Sequence, residues 1–256
     1  AIERQFHHVI RTVPASGQVI YRADEEALQR VLTQGVWSDS LAFGDAQDWH
    51  WQLHQADGSD FSVCYQSRPV ARIHWSLKGL HNVSNAMAAI LAARHVGVAV
   101  EQAAEALQQF RSVKRRLQSL GSVAGVQVLD DFAHHPTAIA STLEGMAASL
   151  LPGQRLIAVL EPRSNTMKLG VHQATLLQSV AAADQVHWLQ PAELSWSLNE
   201  LAQQHGQACY SSSQHLLDEL VMQLQPGDQV VCMSNGSFDR LPQRLLEALR
   251  LREDKQ

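Results

Sequence analysis

From Gly125 onward one arrangement repeats: a short apolar run, then a longer stretch of helical character. "GVQVLDD" precedes "PTAIASTLEGMAASL", "QRLIAVLEP" precedes "GVHQATLLQSVAAA", and "DQVHWLQ" precedes "LSWSLNELAQQHG". "QACYS" with "SSQHLLDELVMQLQ" and "DQVVCMS" with "FDRLPQRLLEALRLRE" complete the series. Strands separated by helices of about 10 to 15 residues cannot pair as hairpins; they pair in parallel, with helices over both faces. The spacing therefore predicts an α/β domain with a mostly parallel, doubly wound sheet.

The first part of the chain differs. A helix-like start leads into the strand "GQVIYR" and the acidic-capped helix "ADEEALQRVL". Residues 48–77 then read as antiparallel ribbons: "DWHWQLHQ", "FSVCYQ" and "VARIHWSL", broken by Gly, Ser and Pro. Their Trp and His residues are expected on a half-buried face. Two helices follow, "NVSNAMAAILAARHVGV", closing on Gly97, and "AVEQAAEALQQF". A domain boundary is expected near Phe110, where the basic stretch "RSVKRRLQS" interrupts the pattern, giving domains 1–110 and 111–256.

At 256 residues and 45% hydrophobic, the chain can bury a proper core, and 18% charged residues are too few for a disordered polymer. A net charge of −5 argues against nucleic acid as the main partner. Three cysteines with no CxxC spacing fit a reducing compartment and no zinc ribbon. The apolar run at 86–93 is too short to span a bilayer. The opening "AIERQFHHVIRTV" has no initiator Met and reads like the middle of a helix, so the chain is expected to be a piece of something longer.

Ligands in open α/β sheets bind beyond the carboxyl ends of the strands. Three strands there lead into polar loops, "DDFAHHPT", "EPRSNTMKLG" and "SNGSFD"; the "QPAELSW" that follows a fourth is blander. Each leads toward a helix start, where free N–H groups favour anions. Asp130 and Asp131 read equally as acceptors for nearby backbone donors, and His135 before Pro136 as an N-cap. A metal cage would need three or four converging ligands, which the spacing from Asp131 to His134 does not guarantee, so no metal ligand is assigned. Arg163 and Lys168 flank Ser164, Asn165 and Thr166, and a guanidinium so placed can grip a carboxylate. In "GLHNVSNAMAA", Asn82 and Asn85 share a helix face and read either as adenine-reading amides or, with Ser84, as caps.

Together "GLHNVSNAMAA", "KRRLQ", "VLDDFAHHPTAI", "LEPRSNTMKLGVHQ" and "VVCMSNGSFDRL" resemble the ATP-dependent Mur ligases of peptidoglycan synthesis, and among them the branch that serves peptidoglycan recycling. The likeness runs from the first residues to about Leu249. It implies a Rossmann-like C-terminal domain preceded by the second half of a central α/β ATPase domain that carries the antiparallel ribbons. It also implies a cytoplasmic enzyme that uses ATP and Mg2+ to join UDP-N-acetylmuramate to the tripeptide L-Ala-γ-D-Glu-meso-diaminopimelate through an acyl phosphate. By the same resemblance His81, Asn82 and Asn85 would hold adenine, Arg116 would reach the phosphates or ribose, and Asp131 would accept from the ribose hydroxyls. His134, His135 and Lys168 would serve the reacting centre; Arg163, Ser164, Asn165, Thr166, Ser234 and Asn235 would face the peptide. Ser112, Gln118 and Ser237 depart from residues common in the family, none at a proposed nucleotide contact.

No GxxxxGK[ST] phosphate loop occurs in the 256 residues. The chain alone is therefore expected to be catalytically silent, with the Mg2+ ligands expected upstream. Two other readings stay open: a nucleotide-binding module without ligase activity, and a metal-dependent hydrolase built on "DDFAHH".

Overall fold

Alternate residues of a strand point to opposite faces, so a strand apolar at every position must be covered on both sides. The second half of the chain meets that demand. The computed structural model describes residues 2–254 and shows two compact units that divide between Arg111 and Ser112.

The first unit runs α1 (Ile2–Ile10), β1 (Gln18–Arg22), α2 (Glu26–Leu32), β2 (Asp39–Phe43), β3 (Trp49–Leu53), β4 (Asp60–Tyr65), β5 (Arg68–His74), α3 (Leu80–His95) and α4 (Val100–Gln108). Its five strands lie in chain order. β1 and β2 are parallel, whereas β3, β4 and β5 form the antiparallel ribbon. Phe61 and Ile73 of the ribbon pack with Val83, Met87, Ile90 and Leu91 of α3. Gly97, at φ 93°, ends α3 in the left-handed conformation that favours glycine.

Three expectations need correction here. β2 was not anticipated, because "DSLAF" has too few apolar residues to signal a strand. Glu25 stands at the N-cap of α2 but makes no side-chain capping bond. The ribbon aromatics do not share one face: Trp49 and Trp75 are buried, Trp51 and His50 half-buried, His54 and His74 exposed.

The second unit runs β6 (Gln118–Val123), β7 (Val126–Asp131), α5 (Pro136–Ala147), β8 (Leu156–Leu160), α6 (Asn165–Lys168), α7 (Gln173–Leu176), β9 (Gln185–Leu189), α8 (Leu198–Gln203), β10 (Ala208–Tyr210), α9 (Ser213–Gln223), β11 (Gln229–Met233) and α10 (Leu241–Glu253). The strand order is β10-β9-β8-β11-β7-β6, and every pair is parallel except β6 with β7. This is a mixed α/β fold whose second sheet is mostly parallel. Val128, Ile157, Val159, Val230 and Cys232 face α9 and α10. Their neighbours Leu129, Ala158, Leu160, Val231 and Met233 face α5, α7 and α8. That two-sided burial explains why β8 reads "LIAVL" without a polar residue.

The strand β6 was also not anticipated, since "QSLGSV" has no apolar period; its pairing with β7 is carried by backbone bonds interrupted at a bulge between Ser119 and Gly121. The helices expected over 170–183 and 194–206 are shorter. The first breaks into α7 and a 3-10 turn at Gln178–Val180, where the Ser179 hydroxyl donates back to Leu176 O and competes with the ladder. The second shortens to α8 because Ser195 and Trp196 bond to α6 instead.

At the edge opposite the loops just described, Arg155 binds Asp228 through two hydrogen bonds of 2.8 and 2.7 Å, tying the starts of β8 and β11. Asp228, 1% exposed, also accepts from Gln225 N. Asp228→Ala should lower unfolding free energy by roughly 2–4 kcal/mol, because it leaves Arg155 and a backbone N–H without their acceptor. Urea denaturation of both proteins checks this; a loss below about 0.5 kcal/mol would show that solvent replaces the carboxylate.

Candidate functional site

Register decides where the polar loops emerge. Met233 at the end of β11 lies opposite Asp131 of β7 on one side and Leu160 of β8 on the other. The segments that begin at Asp130, Glu161 and Ser234 therefore leave one edge of the sheet side by side. Backbone bonds continue past the strands, with Glu161 N donating to Met233 O and Ser234 N to Asp131 O.

Ser234, 0% exposed, ties the middle of this rim. Its hydroxyl donates to Glu161 Oε2 at 2.7 Å and accepts from Gly236 N at 2.9 Å. Its carbonyl accepts from the Arg115 guanidinium. That guanidinium also lies 3.3 Å from Asp130 Oδ2 and over the Phe132 ring, while Phe132 N donates to Arg115 O. Burial pushes the Asp130 carboxyl above its ordinary range, and Arg115 offsets only part of that. Arg163 Nη1 lies 3.8 Å from Glu161 Oε1, and its side chain rests against Gly236: a Cβ there would meet Arg163 Cδ at 2.7 Å. Acid and base thus alternate along the rim, Asp130, Arg115, Glu161, Arg163. Asn235 Oδ1 is buried beside them with no hydrogen-bond partner among the described residues.

The "DDFAHH" loop is braced by Asp131, 3% exposed, whose two oxygens accept from Leu117 N and Ala133 N, each at 2.7 Å. His134 Nδ1 lies 2.9 Å from Phe132 O. A carbonyl only accepts, so in the neutral ring Nδ1 carries the proton and Nε2 keeps its lone pair. His135 caps α5, its Nδ1 facing Thr137 N and Oγ1. Burial, with His172 edge-on at 4.5 Å and His134 nearby, holds its pKa below the ordinary value, so it stays neutral at pH 7.

In the next loop Ser164 caps α6 and lies 3.3 Å from Thr166 Oγ1, while Asn165 and Thr166 are exposed. Lys168 forms an ion pair with Glu193. Ser195 Oγ donates to Lys168 O at 2.6 Å and Trp196 Nε1 to Met167 O at 2.8 Å, so the loop after β9 clasps α6. Arg116 is exposed, its carbonyl accepting from Ser112 Oγ.

His81, Asn82 and Asn85 belong to the first unit, at the start of α3. Neither Asn82 nor Ser84 caps that helix: Gly79 stands at its N-cap, and Asn82 Nδ2 donates back to Lys78 O at 2.7 Å. His81 is half-buried and Asn85 exposed. Among the described residues no group of three His, Cys, Asp or Glu is placed to hold a metal ion.

Three rim residues were given no site role from the sequence. Arg115, rather than its neighbour Arg116, is drawn into the rim; it takes a positive φ of 59°, which the sequence does not announce. Glu161 was legible as the carboxylate at a strand end. Glu193 lies in the loop read as bland.

Comparison with known proteins adds the following. Residues 115–236 match the family described as Mur ligase, glutamate ligase domain. A Haemophilus influenzae protein named UDP-N-acetylmuramate–L-alanyl-gamma-D-glutamyl-meso-2,6-diaminoheptandioate ligase is 44% identical over 98% of this chain and 56% of its own length. The Escherichia coli protein of the same name is 42% identical over 97% of this chain and 55% of its own. The crystal structure of a murein peptide ligase from Psychrobacter arcticus superposes with a TM-score of 0.71 at 41% identity, covering 97% of this chain and 54% of that one. The chain thus spans a little over half the length of these relatives.

Two outcomes follow from the geometry. Gly236→Ala should leave stability within about 1 kcal/mol of the parent, since the obstructed atoms belong to a flexible side chain, yet it should move the Arg163 guanidinium off residue 236 in a crystal structure. An unmoved Arg163 would contradict the close approach. Asp131→Asn sets an amide NH2 against a backbone N–H and should cost about 1–3 kcal/mol in urea denaturation; an unchanged midpoint would show the brace to be dispensable.

Proposed function

The chain belongs to the Mur ligase family, and we propose that the protein carrying it joins UDP-N-acetylmuramate to the tripeptide L-alanyl-γ-D-glutamyl-meso-diaminopimelate with consumption of ATP. The observation that carries this reading is the 44% identity, over nearly the whole chain, to a relative named for that tripeptide. The chemistry we assign is activation of the muramoyl carboxylate as an acyl phosphate, attack by the peptide's amino group, and loss of phosphate.

The rim residues suit the second half of that sequence. The attacking nitrogen must shed a proton, and His134 Nε2 offers a lone pair while Nδ1 is engaged. His135 and Lys168 would serve the same centre. The guanidinium of Arg163 and the ammonium of Lys168 would take the peptide's carboxylates, with Ser164, Asn165, Thr166 and Asn235 supplying neutral contacts. The buried Asn235 Oδ1 wants a donor, and a peptide N–H supplies one. Ser234 would act from behind, holding Glu161 and the Gly236 turn in place.

For ATP, the residues present fit the base end. Asn85 presents an exposed amide that donates and accepts, although Asn82 has one donor already engaged. Arg116 would reach the phosphates or ribose. Asp131 would reach a ribose hydroxyl only by adding a hydrogen bond to a carboxylate that already accepts from Leu117 N and Ala133 N. Among the described residues no group of three His, Cys, Asp or Glu could hold Mg2+, whose ligands in the proposed enzyme would lie upstream of this chain.

In the full-length protein, phosphate release should require ATP, UDP-N-acetylmuramate and the tripeptide together, and the 256-residue chain alone should release none. Arg163→Met should raise KM for the tripeptide about 10- to 100-fold and leave KM for ATP within about twofold, the size expected of a charged hydrogen bond. Nucleotide binding by the full-length protein without any ligation would favour the module reading instead.

A further inference from the structure

Glu193 lies in the loop after β9, away from every segment that the ligase reading uses, yet its carboxylate rests on Lys168. Both cations assigned to the peptide act on it: the hydrogen bond from Lys168 lowers the carboxyl below its ordinary range, and the charge of Arg163 adds to the effect. The pair is not needed to hold the loop. Ser195 and Trp196 anchor it independently on the carbonyls of Lys168 and Met167. Glu193 itself is exposed, with 62% of its side chain accessible, so it supports no core. What remains is a carboxylate on a long, exposed side chain, paired with a cation assigned to the peptide's carboxylate.

We infer that Glu193 is a stand-in for the substrate's carboxylate, which competes with the incoming peptide for Lys168 and so sets how tightly acidic peptides are held. The inference rests on the ligase reading. When the peptide binds, its carboxylate replaces Glu193 on the ammonium, and Glu193 turns to water at little cost because it is already exposed. A neutral ligand leaves the Lys168–Glu193 pair in place, so the competition falls on acidic peptides alone.

The test uses the full-length protein and the tripeptide L-alanyl-γ-D-glutamyl-meso-diaminopimelate. Glu193→Gln should lower KM for the tripeptide about two- to fivefold, the scale of an exposed ion pair, with kcat and KM for ATP unchanged. The gain should shrink as salt is raised and vanish in a Lys168→Met background, where nothing is left to compete for. A tripeptide KM that is unchanged or raised would sink the inference, a rise showing that Glu193 contributes to binding instead. Wild-type ligation must be present for either result; its absence sinks the ligase reading and this inference with it.

Discussion

The rim depends on β11 being inserted between β7 and β8. Two strands that follow one another in sequence are held apart by a third that comes about a hundred residues later, and all three end level. Because side-chain direction alternates along a strand, a slip of one residue would turn Met233 and its neighbours to the opposite face and carry the Ser234 hydroxyl away from Glu161. The buried Ser234 hydroxyl reports that the register is satisfied: one donor and one acceptor, both used, at a position with no exposure. From it the remaining contacts follow, with Glu161 fixed for Arg163, the Gly236 turn fixed beneath the guanidinium, and the Ser234 carbonyl facing Arg115.

Much of this was legible in the sequence because it depends on composition at short range. Runs such as "LIAVL" and "QVVCM" can be satisfied only by burial on both faces, and that demand alone implies the helical layers and the carboxyl edge. The failures have a common physical origin. The strands β2 and β6 are stabilised by backbone pairing with neighbours, which leaves no apolar period to read. The broken helices over 170–183 and 194–206 yield to hydroxyl and indole groups that bond elsewhere, so tertiary contacts overrule local preference. Arg115 and Arg116 are indistinguishable as letters. A left-handed backbone at Arg115 turns its guanidinium onto Ser234 and Asp130, while Arg116 stays exposed with its guanidinium 6.0 Å over the Phe132 ring, a choice made by the loop as a whole.

At the site the division is similar. Residue types announced a polar edge able to handle anions, and the capping reading of His135 and the bracing reading of Asp131 both describe contacts that exist. A cap is not an alternative to function in this setting. Fixing His135 at the start of α5 also fixes His134, whose free nitrogen is then aimed by its bond to Phe132 O. What residue types could not announce was the cross-loop pairing. Glu193 and Lys168 are 25 positions apart on segments with no shared pattern, and only the fold brings them together.

The two sides of the rim differ in how firmly they are held. On the β11 side Phe238, Asp239 and Arg240 are all left-handed, at φ 50°, 48° and 53°, and each such residue costs about 1–2 kcal/mol. The surroundings over-determine that turn: Phe238 is buried in the core beneath α9 and α10, Ser213 donates to Asp239 at 2.5 Å, and Arg244 binds the same carboxylate. Strain of this kind persists only where a fixed geometry is worth its cost, so this wall is built not to move. On the β8 side, by contrast, α6 is a single turn, and beyond it Leu169 and Val171 stand 73% and 65% exposed on either side of Gly170. Met167 alone seats it in the core, and its other anchors are three hydrogen bonds from Ser195 and Trp196 and an exposed ion pair. In the proposed ligase, one rigid wall would hold the bond-forming atoms and one adjustable wall would fit the length and charge of a peptide. That asymmetry places the carboxylate proposed to exchange, Glu193, on the adjustable wall and not on the strained one.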